Sequence, residues 1–248
     1  MSPADLAEDL AADLDADLGD RLAAGELGPV PDCLATFEAR FMALVAASAL
    51  DPELAWDRFY DATLARVAGG WGRGTAGSGT VATFTRIWSR AAGLAVGGSV
   101  LDVGTCFGFL PLAWSARPGA PRLLTADLST ASAALLGRQA RRLGRPVTAL
   151  CADGGALPLV DGAVDTVLLL HVLEHLAEPA GARLLTEALR VAARRVVVAV
   201  PVEPEPDPVF GHVRTFTGAR LSALGASTGW QVSTGDSDGA WLVLDLPV

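Results

Sequence analysis

Residues 99–112 read SVLDVGTCFGFLPL. An apolar run from Ser99 to Val103 ends on a turn holding Gly104 and Gly108, and a second apolar run follows. This pattern predicts a buried strand, a tight turn and a helix. Working outward, "LLTA", "VTALC", "DTVLLL" and "RVVVAV" are further short apolar runs, each bounded by turn residues and separated by helical segments. Strands that are apolar along their whole length belong in a parallel sheet covered on both faces, and the helices between them imply right-handed crossovers. "WQVST" and "AWLVLDL" stand closer together and predict an antiparallel pair at one edge. The expected fold is α/β: a doubly wound, seven-stranded, mostly parallel sheet over residues 81–248.

Residues 1–80 read instead as a helical N-terminal cap. Leu6, Leu10, Leu14, Leu18 and Leu22 recur every four residues beside Asp5, Asp9, Asp13 and Asp17, which makes an amphipathic helix. It could cover the core, act as a lid, or pair two chains as a homodimer. "CLATFEARFMALVAASAL" and "ELAWDRFYDATLARVA" predict two more helices. Gly69 to Thr80 then carries six glycines in twelve residues, a linker or a flap.

Composition narrows the function. The net charge is −9, and much of it sits in the first twenty-six residues, which argues against nucleic acid as a partner. No uncharged apolar run is long enough for a membrane span, and the acidic start is unlike a signal peptide, so the expected location is cytoplasmic. Cys33, Cys106 and Cys151 are too widely spaced for a disulfide framework or a C-x-x-C zinc site. All basic side chains are arginine. Without lysine there is neither a Walker A loop nor a Schiff base.

In an open α/β sheet ligands bind at the carboxyl ends of the strands. There the sequence places Asp102 before the Gly104–Gly108 turn, Asp127 at the second tip, Asp153 and Gly154 after the third, and His171 at the fourth. The G-x-G-x-x-G fingerprint of dinucleotide sites is absent, and an acid before the first glycine would repel a pyrophosphate. A ligand with an amino group and a ribose but no phosphate suits these residues.

"VLDVGTCFGFLPL", "TADLS", "CADGGALPLVDGAVDTVLLLHVLEHL" and "VVVAVPVEPEPDPVFGHVRTFT" resemble, in order and spacing, the motifs of the class I S-adenosylmethionine-dependent methyltransferases, which have a Rossmann-like fold. "GTCFGFLPL", "GHVRTFT" and "WLVLDLPV" are similar more narrowly to the mycofactocin oligosaccharide methyltransferases. The resemblance implies S-adenosyl-L-methionine as cofactor. Gly104, Cys106 and Gly108 would hold its methionine moiety, Asp102 would anchor the turn and meet the amino group, Asp127 would meet the ribose hydroxyls, and Asp153 and Gly154 would lie beside the adenine. The family pattern has a glycine where this chain has Cys106, whose side chain narrows the approach or shifts the loop.

His171, Glu174 and His175 spell H-x-x-E-H, an inverzincin zinc signature when it lies on one continuous helix. "DTVLLL" directly upstream is strand-like, so that reading is set aside. Quinone-type methyltransferases carry a related E-x-x-E-H that can hold a divalent metal; His171 replaces its first glutamate, so a divalent metal is possible here but is not predicted. O-methylation of a hydroxyl benefits from a base. Of three histidines, His171 and His212 are the candidates, one at a strand tip and the other after the proline-rich "PVEPEPDPVF". Glu203, Glu205 and Asp207 either meet a sugar or form a solvated loop; Tyr60, Trp71 and Trp88 either line a site or belong to the core. The expected activity is methylation of a small-molecule or glycan acceptor, specifically a glucose unit of the mycofactocin oligosaccharide. A quinone-type or other small-molecule methyltransferase and a catalytically silent, methyltransferase-like binding subunit are the alternatives.

Overall fold

A computed structural model describes residues 18–73 and 79–247. The expected leucine-striped helix before Leu18 and the middle of the glycine run lie outside the described residues. The chain divides into two compact units, Met1–Arg86 with Asp207–Gly211, and Ile87–Pro206 with His212–Val248.

The first unit holds α1 (Leu18–Ala23), α2 (Leu34–Ala47), α3 (Pro52–Gly70) and the start of α4 (Thr80–Leu94). Helix α3 starts where Asp51 accepts from the Glu53 amide at 2.9 Å, with Pro52 in the first turn, where its missing N–H costs nothing. The glycine pair Gly69–Gly70 ends it. Aromatic edges join α2 to α3: the Phe41 and Phe59 rings lie 5.5 Å apart, and Phe59 also meets Trp56 and Tyr60. Tyr60 is fully buried among them and is a core residue of this unit, not a site wall.

The second unit is a seven-stranded sheet in the order β3-β2-β1-β4-β5-β7-β6. Its strands are β1 (Ser99–Val103), β2 (Arg122–Asp127), β3 (Val147–Cys151), β4 (Val164–Leu170), β5 (Ala192–Val200), β6 (Gln231–Asp236) and β7 (Ala240–Asp245). The first five are mutually parallel, while β7 runs antiparallel to both β5 and β6. The expected antiparallel pair is present, with β7 inside and β6 at the edge. The apolar strand takes the covered place: β7 is buried from Ala240 to Leu244, whereas β6 is exposed at five of its six residues.

Helices α5 (Phe109–Ser115) and α6 (Thr130–Arg142) connect β1 to β2 and β2 to β3, α7 (Glu178–Val191) connects β4 to β5, and α8 (Gly218–Ala226) precedes β6. Leu184, Leu185, Ala188 and Val191 recur at helical spacing on α7 and share one core with Val167, Leu169, Val196 and Val198 of the sheet. Full burial of such side chains contributes about 1.5–3 kcal/mol each. The chain winds from β1 toward β3 on one side and from β4 toward β5 on the other, so the switch point lies between β1 and β4, and a crevice opens there at their carboxyl ends. Among the described residues no helix is long and apolar enough to cross a membrane.

Candidate functional site

The β1 turn is built first. Asp102 is 5% exposed near the end of β1, and Thr105 Oγ1 donates to its Oδ2 at 2.7 Å. Burial raises its pKa from 3.8 to about 7; the Thr105 bond pulls the other way, and the charge of Asp127 adds to the rise. Gly104 and Gly108 both have positive φ, 73° and 72°. A Cβ on Gly104 would sit 2.6 Å from Val172 Cγ2, and one on Gly108 would sit 2.4 Å from Leu136 Cδ1. Backbone conformation and packing together therefore demand glycine at both.

Cys106 stands between them at φ 51°. That is the left-handed conformation a glycine adopts freely and an L-side chain adopts at about 1–2 kcal/mol. At that φ the loop follows a glycine-like course and bears the strain. Part of the compensation comes from Asp127 at the tip of β2, whose Oδ2 accepts the Cys106 amide at 2.8 Å while Oδ1 accepts the Ser129 amide at 2.8 Å. Asp127 thereby ties two strand tips together. Each carboxylate oxygen has a further lone pair to offer.

Asp153 is exposed beyond β3 and accepts the Gly155 amide at 2.8 Å in its own turn. Gly154 packs under the sheet: a Cβ there would meet Leu184 Cδ1 at 2.7 Å and Val103 Cγ1 at 2.8 Å. The structure thus brings Asp102, Gly104, Cys106 and Asp127 into one hydrogen-bonded arrangement and leaves Asp153 and Gly154 in a neighbouring turn.

His171 follows β4 directly, at φ 55°. Its amide donates to Ala199 O at 2.8 Å, which continues the β4–β5 ladder. The sequence H-x-x-E-H is therefore a strand end, then a 3-10 turn at Leu173–His175, then α7 from Glu178. One continuous helical face, which the inverzincin reading requires, does not exist. Among the described residues, Cys106 and His171 are two of the three non-glycine residues with positive φ, and each stands at a strand tip of the crevice. Strained backbone concentrates at functional sites. Val172 touches Gly104, so the β4 turn lies against the β1 turn.

Around that turn a polar cluster closes. Glu174 is fully buried, and His171 Nδ1 lies 3.3 Å from its Oε1. The rings of His175 and His212 meet edge-on at 5.0 Å. His212 Nδ1 lies 2.8 Å from Glu203 Oε2 in the loop after β5. The amide of Val213 donates to Glu174 O at 2.8 Å, and Arg214 Nε donates to Leu173 O at 3.0 Å, so the segment carrying His212 is pinned to the β4 turn. Of the loop acids, only Glu203 joins this cluster; Asp207 caps the Val209 amide within its own loop at 2.9 Å, and Glu205 is exposed. Sequence reasoning missed Glu174 as a buried group and Glu203 as the partner of His212. Fourth-strand burial offered a hint of the first, and nothing in the local pattern signals the second.

Residues 101–200 match the family described as "Methyltransferase domain". An "Uncharacterized methyltransferase" of Mycobacteroides abscessus is 39% identical over 155 residues, which is 60% of this chain and 58% of that relative. The chain thus matches little more than half the length of that curated relative. Among solved structures, the magnesium protoporphyrin IX methyltransferase ChlM of Synechocystis PCC 6803 with bound SAM superposes with a TM-score of 0.52 at 17% identity, over 80% of this chain and 97% of that one. The [4+2]-cyclase SpnF superposes with a TM-score of 0.55 at 24% identity, over 69% of each chain. These structures share the fold.

Proposed function

We propose that the chain, whose residues 101–200 match the methyltransferase-domain family, is an S-adenosylmethionine-dependent methyltransferase that methylates a hydroxyl oxygen of a sugar, a glucose unit of the mycofactocin oligosaccharide. One observation carries the reading: Val172 seats the histidine-bearing β4 turn directly against Gly104 of the β1 turn. When bound, the cofactor supplies a methyl group already activated on a sulfonium, so the work left to the protein is alignment and proton removal.

On this reading Gly104, Cys106 and Gly108 line the methionine moiety. Asp102 faces the amino group, and Asp127 uses its remaining lone pairs on the ribose hydroxyls. Asp153 and Gly154 flank the adenine. These residues fit the group: a glycine-shaped turn admits close approach, and carboxylates suit an amine and hydroxyls while repelling phosphate. A sugar hydroxyl is a weak acid, so a base follows from the chemistry. His171 and His212 are the two candidates, each beside a carboxylate, Glu174 at 3.3 Å and Glu203 at 2.8 Å. A carboxylate beside a histidine ring fixes its orientation toward the acceptor. Residues 1–80 are read as a helical cap and 81–248 as the transferase core. The chain works in the cytoplasm on a small-molecule or glycan acceptor, and its N-terminal helices are the surface through which two copies would pair.

The narrower acceptor rests on "GTCFGFLPL", "GHVRTFT" and "WLVLDLPV"; the last two follow β5 and cover β7. A silent binding subunit is the second reading, favoured by the side chain that Cys106 puts into the turn, since a fold does not by itself dictate a reaction. The deciding experiment is single-turnover methylation of the oligosaccharide-bearing substrate, and of a quinone precursor, with cofactor binding measured in parallel. His171→Ala or His212→Ala is expected to lower turnover by about 10²-fold or more, with cofactor affinity held within a few-fold. Methylation of the quinone precursor alone refutes the glycan. Cofactor binding without any turnover supports the silent subunit.

A further inference from the structure

We propose that Glu174, His175 and His212 form a binding site for one divalent transition-metal cation. Sequence spacing argued against a metal here, because H-x-x-E-H does not lie on a helix. The folded geometry supplies a different set of ligands. One ligand atom from each of these three residues lies within 4.8 Å of the others, a spread that a single cation can bridge. Two come from the turn after β4 and the third from the loop after β5, held together by the Val213–Glu174 and Arg214–Leu173 hydrogen bonds. These bonds hold the ligand-bearing segments side by side.

Glu174 is the independent observation. Its side chain is 1% exposed, and neither carboxylate oxygen accepts a hydrogen bond. Burying a carboxylate without donors is costly. His171 Nδ1 lies 3.3 Å from Oε1, Arg214 is close enough for its charge to act on the carboxylate, and His175 and His212 complete the cluster. A cation among them would satisfy the carboxylate and use the imidazoles as neutral ligands. His212 is also prepared as a metal ligand should be. Glu203 engages its Nδ1 at 2.8 Å, and a carboxylate behind a ligating histidine fixes the orientation of the ring.

The donor set names the chemical class. One carboxylate oxygen and two imidazole nitrogens suit zinc, iron, manganese or cobalt, and not the all-oxygen preference of magnesium or calcium. Three protein ligands leave coordination positions open, as in catalytic rather than structural sites. The role of the cation rests on the methyl-transfer reading and deepens it: an acceptor hydroxyl bound there would lose its proton more readily. His212 would then serve as a ligand and not as the free base. Binding of the cation does not depend on that reading.

The test uses metal-stripped, full-length protein titrated with Co²⁺, with no cofactor or acceptor present, and follows the visible d–d absorption of the bound ion. The expected result is saturation at one cobalt per chain, displacement by Zn²⁺, and no displacement by Mg²⁺. Glu174→Gln and His212→Gln should each weaken cobalt binding by about 100-fold or more, and Glu203→Gln by about 10- to 100-fold. Thermal melts establish that each variant is folded; should the two ligand variants fail to fold, the exposed-side Glu203→Gln decides. Absence of saturable cobalt binding in the wild type, or equal affinity in folded variants, overturns the site. Cobalt bound as expected with no methylation of any acceptor leaves the site standing and removes the methyl-transfer reading; methylation that survives chelation, with no cobalt bound, does the reverse.

Discussion

Asp102 offers the sharpest prediction, through Asp102→Asn. The carboxyl is 5% exposed at the end of β1, and burial lifts its pKa from 3.8 to about 7. The folded protein therefore holds the proton more tightly than the unfolded chain. Below about pH 4 the acid is neutral in both states and costs nothing extra. As pH rises from about 4 through 7 the unfolded chain ionises first, and the folded state loses relative stability across that window. A difference of roughly three in pH corresponds to about 4 kcal/mol. Asparagine keeps the shape and can still accept from Thr105 but has no proton to lose. The variant should exceed the wild type by about 1 kcal/mol at pH 4.5 and by up to about 4 kcal/mol at pH 8, read from urea unfolding midpoints without cofactor. Comparison at each pH cancels the titration of the distant carboxyls, because distant sites add; the neighbouring Asp127 stays coupled to Asp102. If Asp102 meets the amino group of the cofactor, the affinity of the wild type should also rise through pH 7 while that of the variant stays flat and weaker. A stability difference that is the same at pH 4.5 and pH 8 refutes the reasoning.

Two further outcomes follow from the same turn. Cys106→Gly relieves the left-handed strain at φ 51° and opens the turn. The relief of about 1–2 kcal/mol is partly offset by the greater freedom of glycine in the unfolded chain, so calorimetry should show tighter cofactor binding with unfolding stability changed by less than about 1 kcal/mol. Weaker binding would mean that the thiol itself contacts the ligand. Asp127→Ala removes acceptors for the Cys106 and Ser129 amides along with the proposed ribose contact, and should weaken cofactor binding by about 1–3 kcal/mol; unchanged affinity would take Asp127 out of the site.

Much of the second unit was legible in the chain because its information is local. "SVLDV", "DTVLLL" and "RVVVAV" are apolar without alternation, which only strands covered on both faces can be. Helix α4 is not marked in the sequence, because the glycine run before it has the composition of a linker. The positions of Asp102, Asp127 and His171 at strand tips followed from strand ends alone, because a parallel sheet collects its carboxyl ends on one side.

The sequence by itself determined the seven strands, their parallel core, and the glycine turn with its acids. Each of these depends on residues within a dozen positions of one another. Tertiary structure alone decided which polar groups meet. The burial of Glu174, the pairing of Glu203 with His212, and the approach of His212 to His175 join the turn after β4 to the loop after β5. Period and spacing cannot report such contacts: they depend on how β4 and β5 pair in the sheet and on one backbone and one arginine side-chain hydrogen bond that anchor a loop, and neither leaves a mark on the order of the residues.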